Sequence, residues 1–301
     1  MHKHFLTKNT ARRHGMSTQK AAYSKPEWLR KKITLSSLRE VEAIIAKGKL
    51  HTVCQEAMCP NIGECFSRKQ ATFLILGKEC TRHCTFCNVS KEMPLPPDPD
   101  EPLHVAESVE AMGLRHVVIT SPTRDDLSDG GAEHFAKVVR AIKTYDETII
   151  VELLIPDLQE NEAALQIIAQ SGAQIIGHNL ETVPRLYHIR KGAKYERSLR
   201  VLKKLAQLNP DIRTKSGIML GLGEKEEEVN ALLQDLLDHN CRLLSIGQYL
   251  SPSNEHTKVV EFVPPERFDH FHDVGMAMGF DFIKSSPYTR SSYMADEYLK
   301  S

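Results

Sequence analysis

The chain of 301 residues lacks any long apolar run and any excess of charge of one sign. No stretch approaches the roughly 18 consecutive apolar residues that a membrane-spanning helix needs. The 39 Lys and Arg residues balance the 39 Asp and Glu residues, so no overall electrostatic field attracts nucleic acid or an anionic membrane. The sequence therefore predicts a soluble protein that binds neither nucleic acid nor membrane.

The spacings of the commonest metal sites are also missing. The 14 histidines include no HExxH pair, which a hydrolytic zinc site would require. No second CxxC pair follows the first, as a structural zinc knuckle would require. Clustered cysteines in a long chain without a secretory signal predict metal binding in a reducing compartment, whereas spread pairs in a short secreted chain predict disulfides.

Six of the seven cysteines lie close together, in two groups of three. The first triplet is Cys54, Cys59 and Cys65, and the second is Cys80, Cys84 and Cys87. Each triplet is one ligand short of the four that complete a metal or iron–sulfur site. Open coordination of this kind favours chemistry over a purely structural role. The seventh cysteine, Cys241, is expected to be a small buried hydrophobic residue.

Apolar runs alternate with amphipathic stretches from residue 71 onward, which is typical of parallel strands joined by helices. The predicted strands are residues 71–77, 116–121, 148–155, 174–179, 213–220 and 243–250. The predicted helices are residues 105–112, 132–145, 161–171, 195–208, 225–239 and 265–278. Six such units predict an α/β fold, a partial (β/α)6 TIM-like barrel, with an open doubly wound sheet as the alternative.

Three regions are expected along the chain. Residues 71–284 form the barrel, residues 1–70 form an N-terminal extension that carries the first triplet, and residues 285–301 form a C-terminal segment. Residues 1–24 are expected to be a disordered arm. The first 26 residues hold six Lys or Arg and no acid, which resembles a mitochondrial transit peptide but lacks a clear apolar face. We therefore expect a cytoplasmic protein, with the mitochondrion as the alternative.

The second triplet has the spacing CxxxCxxC, with Phe86 before the last cysteine, in a loop that follows the first predicted strand. Three close thiolates in such a loop can hold three irons of a 4Fe-4S cluster and leave the fourth iron open. Here the chain resembles the radical S-adenosylmethionine superfamily, whose fold is a partial barrel.

Further motifs narrow the resemblance to the lipoyl synthase family. The first triplet has the rarer spacing CxxxxCxxxxxC. Matching segments are KPEWL (25–29), VITS (118–121), RDDL (124–127), HNLETV (178–183), KSGIMLGLGE (215–224), GQYL (247–250) and RSSY (290–293). The resemblance covers about residues 25 to 295. The chain departs from the commonest family sequence at Pro122-Thr123 and at Lys191-Gly192. These departures bear on which carrier protein the chain prefers more than on the reaction itself.

This resemblance implies insertion of two sulfur atoms at carbons 6 and 8 of an octanoyl group carried on a protein lysine. The cluster on Cys80, Cys84 and Cys87 would bind S-adenosylmethionine and cleave it reductively. A second, auxiliary 4Fe-4S cluster on Cys54, Cys59 and Cys65 would be consumed as the sulfur source. Its fourth ligand would be a serine of the RSSY motif, Ser291 as first choice and Ser292 as second.

Candidate contacts to S-adenosylmethionine lie in the barrel loops and strands. We expect Phe86 to pack on the adenine, Asn179 and Glu181 to bind ribose hydroxyls or the amino group, and Gly221 to let the backbone approach the cofactor closely. Lys215 lies in an apolar strand and needs a partner or a ligand, for which the methionine carboxylate is a candidate. The plainer interpretations are that Gly221 is a turn residue and that Phe86 packs in the core.

The resemblance also implies partners. The substrates would be octanoylated lipoyl carrier domains, namely the acyltransferase subunits of 2-oxoacid dehydrogenases and the glycine cleavage H protein, and the electron donor a ferredoxin or flavodoxin. Two alternatives stay open at this point. One is another radical sulfur-inserting enzyme of the methylthiotransferase kind. The other is a non-catalytic iron–sulfur or zinc module.

Overall fold

The computed structural model describes residues 25–30 and 38–299. In the first of two compact units, which ends at Arg30, Glu27–Leu29 form a single turn of 3-10 helix. All other elements belong to the second unit, residues 31–301. The expected disordered arm, residues 1–24, lies outside the described residues. No helix within the described ranges is long and apolar enough to cross a membrane.

The second unit alternates strands with helices along most of its length. The strands are β1 (His51–Thr52), β2 (Thr72–Leu74), β3 (His116–Thr120), β4 (Ile150–Leu154), β5 (Ile175–Gly177), β6 (Arg213–Leu220), β7 (Leu243–Gln248) and β8 (Phe282–Ser285). The helices are α1 (Leu38–Lys47), α2 (Val53–Glu56), α3 (Ile62–Ser67), α4 (Glu101–Met112), α5 (Ala132–Tyr145), α6 (Glu162–Ala169), α7 (Tyr195–Leu208), α8 (Glu226–Asp238) and α9 (Pro265–Met278).

The strands form one sheet in which spatial order follows chain order from β1 to β8. Strand β1 pairs antiparallel with β2, and every later pair is parallel. A doubly wound sheet would reverse its strand order at a switch point, and this sheet does not. No pairing joins β8 back to β1 or β2 within the described residues, so the barrel is partial and the doubly wound alternative is wrong.

All six predicted strands and all six predicted helices are present, and α5, α7 and α9 have the predicted bounds. The sequence interpretation missed β8 and the three helices before β2. Strand β8 has only four residues, Phe-Ile-Lys-Ser, so it lacks the continuous apolar run by which the other strands were predicted. Helix α4 begins four residues before the predicted start, since Asp100 and Pro102 begin its first turn.

Side chains alternate along each strand between the helix layer and the barrel interior. Val151 and Leu153 join the main core beneath α4 to α6, whereas Glu152 between them points the other way. In the interior, the Lys215 ammonium lies 2.8 Å from the Glu152 carboxylate and 3.5 Å from the centre of the Tyr298 ring. Burial opposes charge on both partners, but Lys215 and His116 keep the pKa of Glu152 below its ordinary value.

The C-terminal segment, residues 288–298, lies against the interior of the sheet. Tyr298 is fully buried with Ile175 and Leu243, and its carbonyl accepts a hydrogen bond from Arg213 at 2.6 Å. The segment passes so close to β7 that a Cβ on Gly247 would lie 2.0 Å from the carbonyl oxygen of Thr289. Gly247 therefore has no tolerated substitute while the segment stays in place.

A directional chain of hydrogen bonds fixes the end of β5. His178 Nδ1 lies 2.9 Å from the Ile155 carbonyl, which can only accept, so Nδ1 carries the proton and donates it. Nε2 of the neutral ring is then an acceptor, and it accepts from the Ser198 hydroxyl at 2.9 Å. Tyr187 then donates to Ser198 and accepts from Arg190. Burial, with the charge of Arg190, lowers the pKa of His178 from 6.5 to about 4. The folded chain therefore keeps His178 neutral.

This arrangement predicts a loss of stability as the pH falls from 7 to 5. The unfolded chain binds a proton on His178 below pH 6.5, and the folded chain does not do so until about pH 4. Protons therefore favour unfolding across this window, by about 2 kcal/mol at pH 5. Urea unfolding at both pH values should show this loss in the parent chain and a smaller one in His178→Gln. An equal pH dependence in the two proteins would contradict the assignment.

Candidate active site

The second cysteine triplet lies in the loop after β2, at the carboxyl ends of the parallel strands, where ligands collect in barrels of this kind. Three backbone hydrogen bonds fix the loop: Cys80 N–H to Ser90 O, Thr81 N–H to Thr123 O and Thr85 N–H to Ile189 O. The loop is therefore fixed by segments that follow β3 and β5.

Arg82, between two cysteines of this triplet, fixes the loop more strongly. Its guanidinium donates to Asp125 at 2.7 and 3.0 Å and to Asp157 at 2.9 and 2.6 Å. Arg197 also contacts Asp157 at 3.1 Å. Burial alone would raise the pKa of Asp157, but the hydrogen bonds and charge of Arg82 lower it to about 2. Paired bidentate contacts of this kind hold a guanidinium in one orientation.

One thiol in each triplet, Cys54 and Cys87, has a strongly raised pKa because of burial. Burial raises the pKa of Cys87 to about 12, and the neighbouring thiols of Cys84 and Cys80 add to the shift. Burial likewise raises the pKa of Cys54 to about 11, with Cys59 adding to it. Iron binds thiolates, so cluster assembly at these sites releases protons. All seven cysteines are free of disulfides.

Asn179 and Glu181 lie together after β5, as their position in the sequence predicted. The Asn179 amide donates to Glu181 at 3.1 Å and to the Ser291 hydroxyl at 2.7 Å. Glu181 has a left-handed backbone, with φ of 68°. Its amide donates to Gly217 O, and its carbonyl accepts from Met219 N–H. A non-glycine residue held in this conformation by an adjacent strand is typical of a functional site.

The first triplet lies in α2, α3 and the turn between them. The Thr52 hydroxyl caps α2 by accepting from Gln55 N–H, and this cap fixes the helix on which Cys54 lies. Cys59 N–H donates to Cys54 O at 2.9 Å, and Cys65 N–H donates to Asn61 O at 2.9 Å. The three cysteines therefore belong to one hydrogen-bonded substructure.

A small cavity, partly open to solvent, lies beside this triplet. Cys54 and Cys65 line it, and so does Ser292, the second serine of the RSSY motif. Ser291 instead contacts Asn179, on the side of the second triplet. The other polar residues of the cavity lining are Gln70, Thr72, His116 and Asp296. The geometry thus places the two serines of the motif in different surroundings.

Direct hydrogen bonds connect the two triplets and the C-terminal segment. Asn88, next to Cys87, donates to the Glu56 carbonyl at 2.8 Å, within the first triplet's segment. Asn61 donates to Tyr288 O at 2.7 Å, and the Tyr293 hydroxyl donates to Glu64 at 2.8 Å. The cysteines that were distant from the RSSY motif in sequence are therefore brought to it by the fold.

Three predicted cofactor contacts have protein partners in the structure. The charge of Lys215 is paired with Glu152, so the predicted contact to a methionine carboxylate is corrected to a buried ion pair. A Cβ on Gly221 would meet Gln248 Nε2 at 2.3 Å and Glu261 O at 2.4 Å, so its close approach is to the chain itself. Phe86 packs against the core near α7 to α9, which is the plainer interpretation of that residue.

The sequence interpretation missed several residues that organise the site, chief among them Arg82, Asp157 and His116. Asp157 is 75 residues from Arg82 along the chain, and no local pattern signals the pair. An arginine between two ligand cysteines was the available signal. No three His, Cys, Asp or Glu side chains in the described residues are placed to hold one metal ion together.

Comparisons with known proteins agree with this geometry. The profile of the radical SAM superfamily matches residues 74–236. A lipoyl synthase of Geobacter metallireducens is 57% identical over 274 residues, which are 91% of this chain and 97% of that protein. One of Caldanaerobacter subterraneus is 51% identical over 90% of this chain and 96% of its own. The crystal structure of the FeFe-hydrogenase maturase HydG shares the fold, with a TM-score of 0.56, 13% identity and coverage of 83% of this chain and 63% of that one.

Replacement of Arg82 by methionine is expected to destabilise the chain by about 3 kcal/mol, because it leaves buried Asp157 with Arg197 as its only ion-pair partner among the described residues. The double variant Arg82→Met with Asp157→Asn should recover part of this loss, since it removes the uncompensated charge. Urea unfolding of the parent, both single variants and the double variant measures the coupling. Strictly additive effects would show that the pair does not hold the loop.

Proposed function

The chain belongs to the lipoyl synthase family of radical S-adenosylmethionine enzymes, and on that premise we propose how its residues divide the reaction between two sites. The reaction inserts two sulfur atoms at carbons 6 and 8 of a protein-bound octanoyl-lysine. It uses S-adenosylmethionine and 4Fe-4S clusters. The relatives that match nine-tenths of the chain leave no support for the methylthiotransferase or the non-catalytic alternative.

We assign Cys80, Cys84 and Cys87 to the cluster that binds S-adenosylmethionine. Three thiols in one rigid loop leave a fourth coordination position open, and the loop is at the carboxyl ends of the strands. Arg82 fixes the loop through its hydrogen bonds to Asp125 and Asp157. Asn179 and Glu181 are in electrostatic range of this loop, since Glu181 adds to the pKa shifts of Cys84 and Cys87. They are the proposed polar contacts to the cofactor.

We assign Cys54, Cys59 and Cys65 to the auxiliary cluster and Ser292 to its fourth position. The observation that carries this assignment is the shared cavity: Ser292 lines it together with Cys54 and Cys65, whereas Ser291 does not. The order of preference between the two serines is therefore the reverse of the one expected from sequence. A serine oxygen is a harder donor than thiolate and binds iron less firmly. Such a ligand suits a cluster that must open.

The donor sets fit the two groups in number and type, with three thiols at one site and three thiols plus a hydroxyl at the other. When bound, the first cluster and S-adenosylmethionine supply the radical that removes hydrogen from an unactivated carbon, and the second supplies sulfur. The chain itself orients both groups. The contact between Asn88 and Glu56 fixes the separation of the two segments, so one substrate chain can meet both sites.

The remaining assignments follow from the family. The proposed substrates are octanoylated lipoyl carrier domains, among them 2-oxoacid dehydrogenase acyltransferase subunits and the glycine cleavage H protein. A ferredoxin or flavodoxin is the proposed electron donor, and the cytoplasm is the proposed compartment. Residues 71–284 are proposed as the catalytic barrel, with residues 1–70 and 285–301 as extensions that carry the auxiliary ligands.

The test is anaerobic reconstitution of the full chain with iron and sulfide, followed by addition of reductant, S-adenosylmethionine and an octanoylated lipoyl-domain peptide. The parent chain should form 5′-deoxyadenosine and lipoyl peptide, both counted by mass spectrometry. Formation of 5′-deoxyadenosine without any sulfur in the peptide would contradict the proposed reaction.

The two serines give a matched pair of variants. Ser292→Ala should still form 5′-deoxyadenosine but should lower the ratio of lipoyl product to 5′-deoxyadenosine by about tenfold or more, since only the sulfur source has lost a ligand. Ser291→Ala removes the contact to Asn179 on the cofactor side, so it should lower both products together and leave the ratio unchanged. A ratio that falls only in Ser291→Ala would make the first serine the ligand.

A further inference from the structure

His116, the first residue of β3, is a buried histidine whose ring makes no hydrogen bond to the described residues. Its side chain is 6% exposed, and Nδ1 and Nε2 both lack a hydrogen-bond partner. Leaving a buried polar group unsatisfied costs about 1–3 kcal/mol. Such a group in a native fold calls for an explanation. Nothing in the reaction described above uses this residue.

The ring is placed at the auxiliary site. His116 lines the cavity that also contains Cys54, Cys65 and Ser292. The neighbouring lining residue on the same strand face is Val118, which offers no hydrogen bond. The imidazole therefore lines the same cavity as three of the proposed cluster ligands, together with the polar side chains of Gln70, Thr72 and Asp296.

The position of the ring is fixed from behind. His116 Nε2 lies 3.4 Å from Glu152 Oε2, which is within ion-pair distance but makes no hydrogen bond. Glu152 is in turn held by Lys215 at 2.8 Å, and Lys215 lies over the Tyr298 ring. The contact between His116 and Glu152 is electrostatic and makes no hydrogen bond, so Glu152 does not use the ring N–H.

We propose that His116 is a positioning residue of the auxiliary site, which donates an N–H hydrogen bond to a sulfide or to the serine oxygen of the group bound in this cavity. A neutral imidazole carries one N–H, and the proposal requires it on the ring nitrogen that faces the bound group. The proposal rests on the assignment of Cys54, Cys59, Cys65 and Ser292 as ligands. It adds a residue outside the coordination sphere that tunes the cluster.

Hydrogen bonds to cluster sulfurs and ligands change both reduction potential and stability. A donor at this position stabilises negative charge on the reduced cluster. It also retains the weak serine ligand until the cluster opens. Loss of the donor is therefore expected to lower the reduction potential of the auxiliary cluster and to speed its loss of iron.

The test uses the full chain with Cys80, Cys84 and Cys87 all replaced by alanine, so that only the auxiliary ligands remain. After anaerobic reconstitution, iron and sulfide are counted, the midpoint potential is measured by EPR-monitored titration, and iron release to a chelator is timed. Adding His116→Phe should lower the potential and speed iron release about tenfold, the expected effect of losing one hydrogen bond to a charged group. His116→Gln, which keeps an N–H donor, should recover part of the midpoint potential and part of the slower iron release.

The matched control is His104→Phe in the same background. His104 is a half-buried histidine of α4 with an unpaired Nδ1, and it does not line the cavity. This change should leave the potential and the iron release unchanged. Pulsed EPR of the reduced cluster should show a coupled exchangeable proton in the parent and in His104→Phe, and not in His116→Phe.

The outcomes distinguish the assignment of the cluster ligands from the role proposed for His116. If the chain that lacks Cys80, Cys84 and Cys87 binds no cluster, the ligand assignment fails, and this proposal fails with it. If the cluster forms and His116→Phe leaves the potential, the iron release and the proton coupling unchanged, the ligand assignment stands and His116 has only a packing role. If His116→Phe does not fold, the partial shift and retained proton coupling in His116→Gln decide the matter.

Discussion

The buried ion pair between Glu152 and Lys215 is the interaction on which the interior of this barrel depends. Two charges with almost no exposure are costly unless each is paired, so neither side chain can be lost alone. Around the pair lie the Tyr298 ring on one side and His116 on the other. Through Tyr298 it holds the C-terminal segment, and that segment carries Ser292 to the first cysteine triplet.

Two sites with the same number of thiols thus differ in how they are completed. The loop of the second triplet is fixed within the barrel by Arg82, and on the proposed assignment it keeps a coordination position for a cofactor. The first triplet lies in a helical extension, and the proposed fourth ligand, Ser292, comes from the far end of the chain. On this proposal one site stays open and the other is closed by a weak ligand. This difference suits one cluster that acts as a catalyst and another that is consumed.

Local patterns predicted much of this structure because they are local. The continuous apolar runs of parallel strands and the 3.6-residue period of helices such as α8 indicated the barrel, and the cysteine spacings indicated both sites. Contacts between distant residues were beyond such patterns. The partner of Lys215 is 63 residues away, so an apolar strand with one charge gave no means of choosing between a protein partner and a cofactor. Ser291 and Ser292 are adjacent in the sequence but have different neighbours, and this difference likewise depends on the tertiary fold.

The central claim is that one cluster is open to S-adenosylmethionine and the other is closed by the chain. Mössbauer spectroscopy of the fully reconstituted protein tests it most directly, since two 4Fe-4S clusters hold about eight irons. Addition of S-adenosylmethionine should change the signal of a single iron in one cluster and leave the other cluster unaltered, and replacement of Cys80, Cys84 and Cys87 by alanine should abolish that response. A cofactor-induced change in both clusters, or one that survives the loss of these cysteines, would contradict the account.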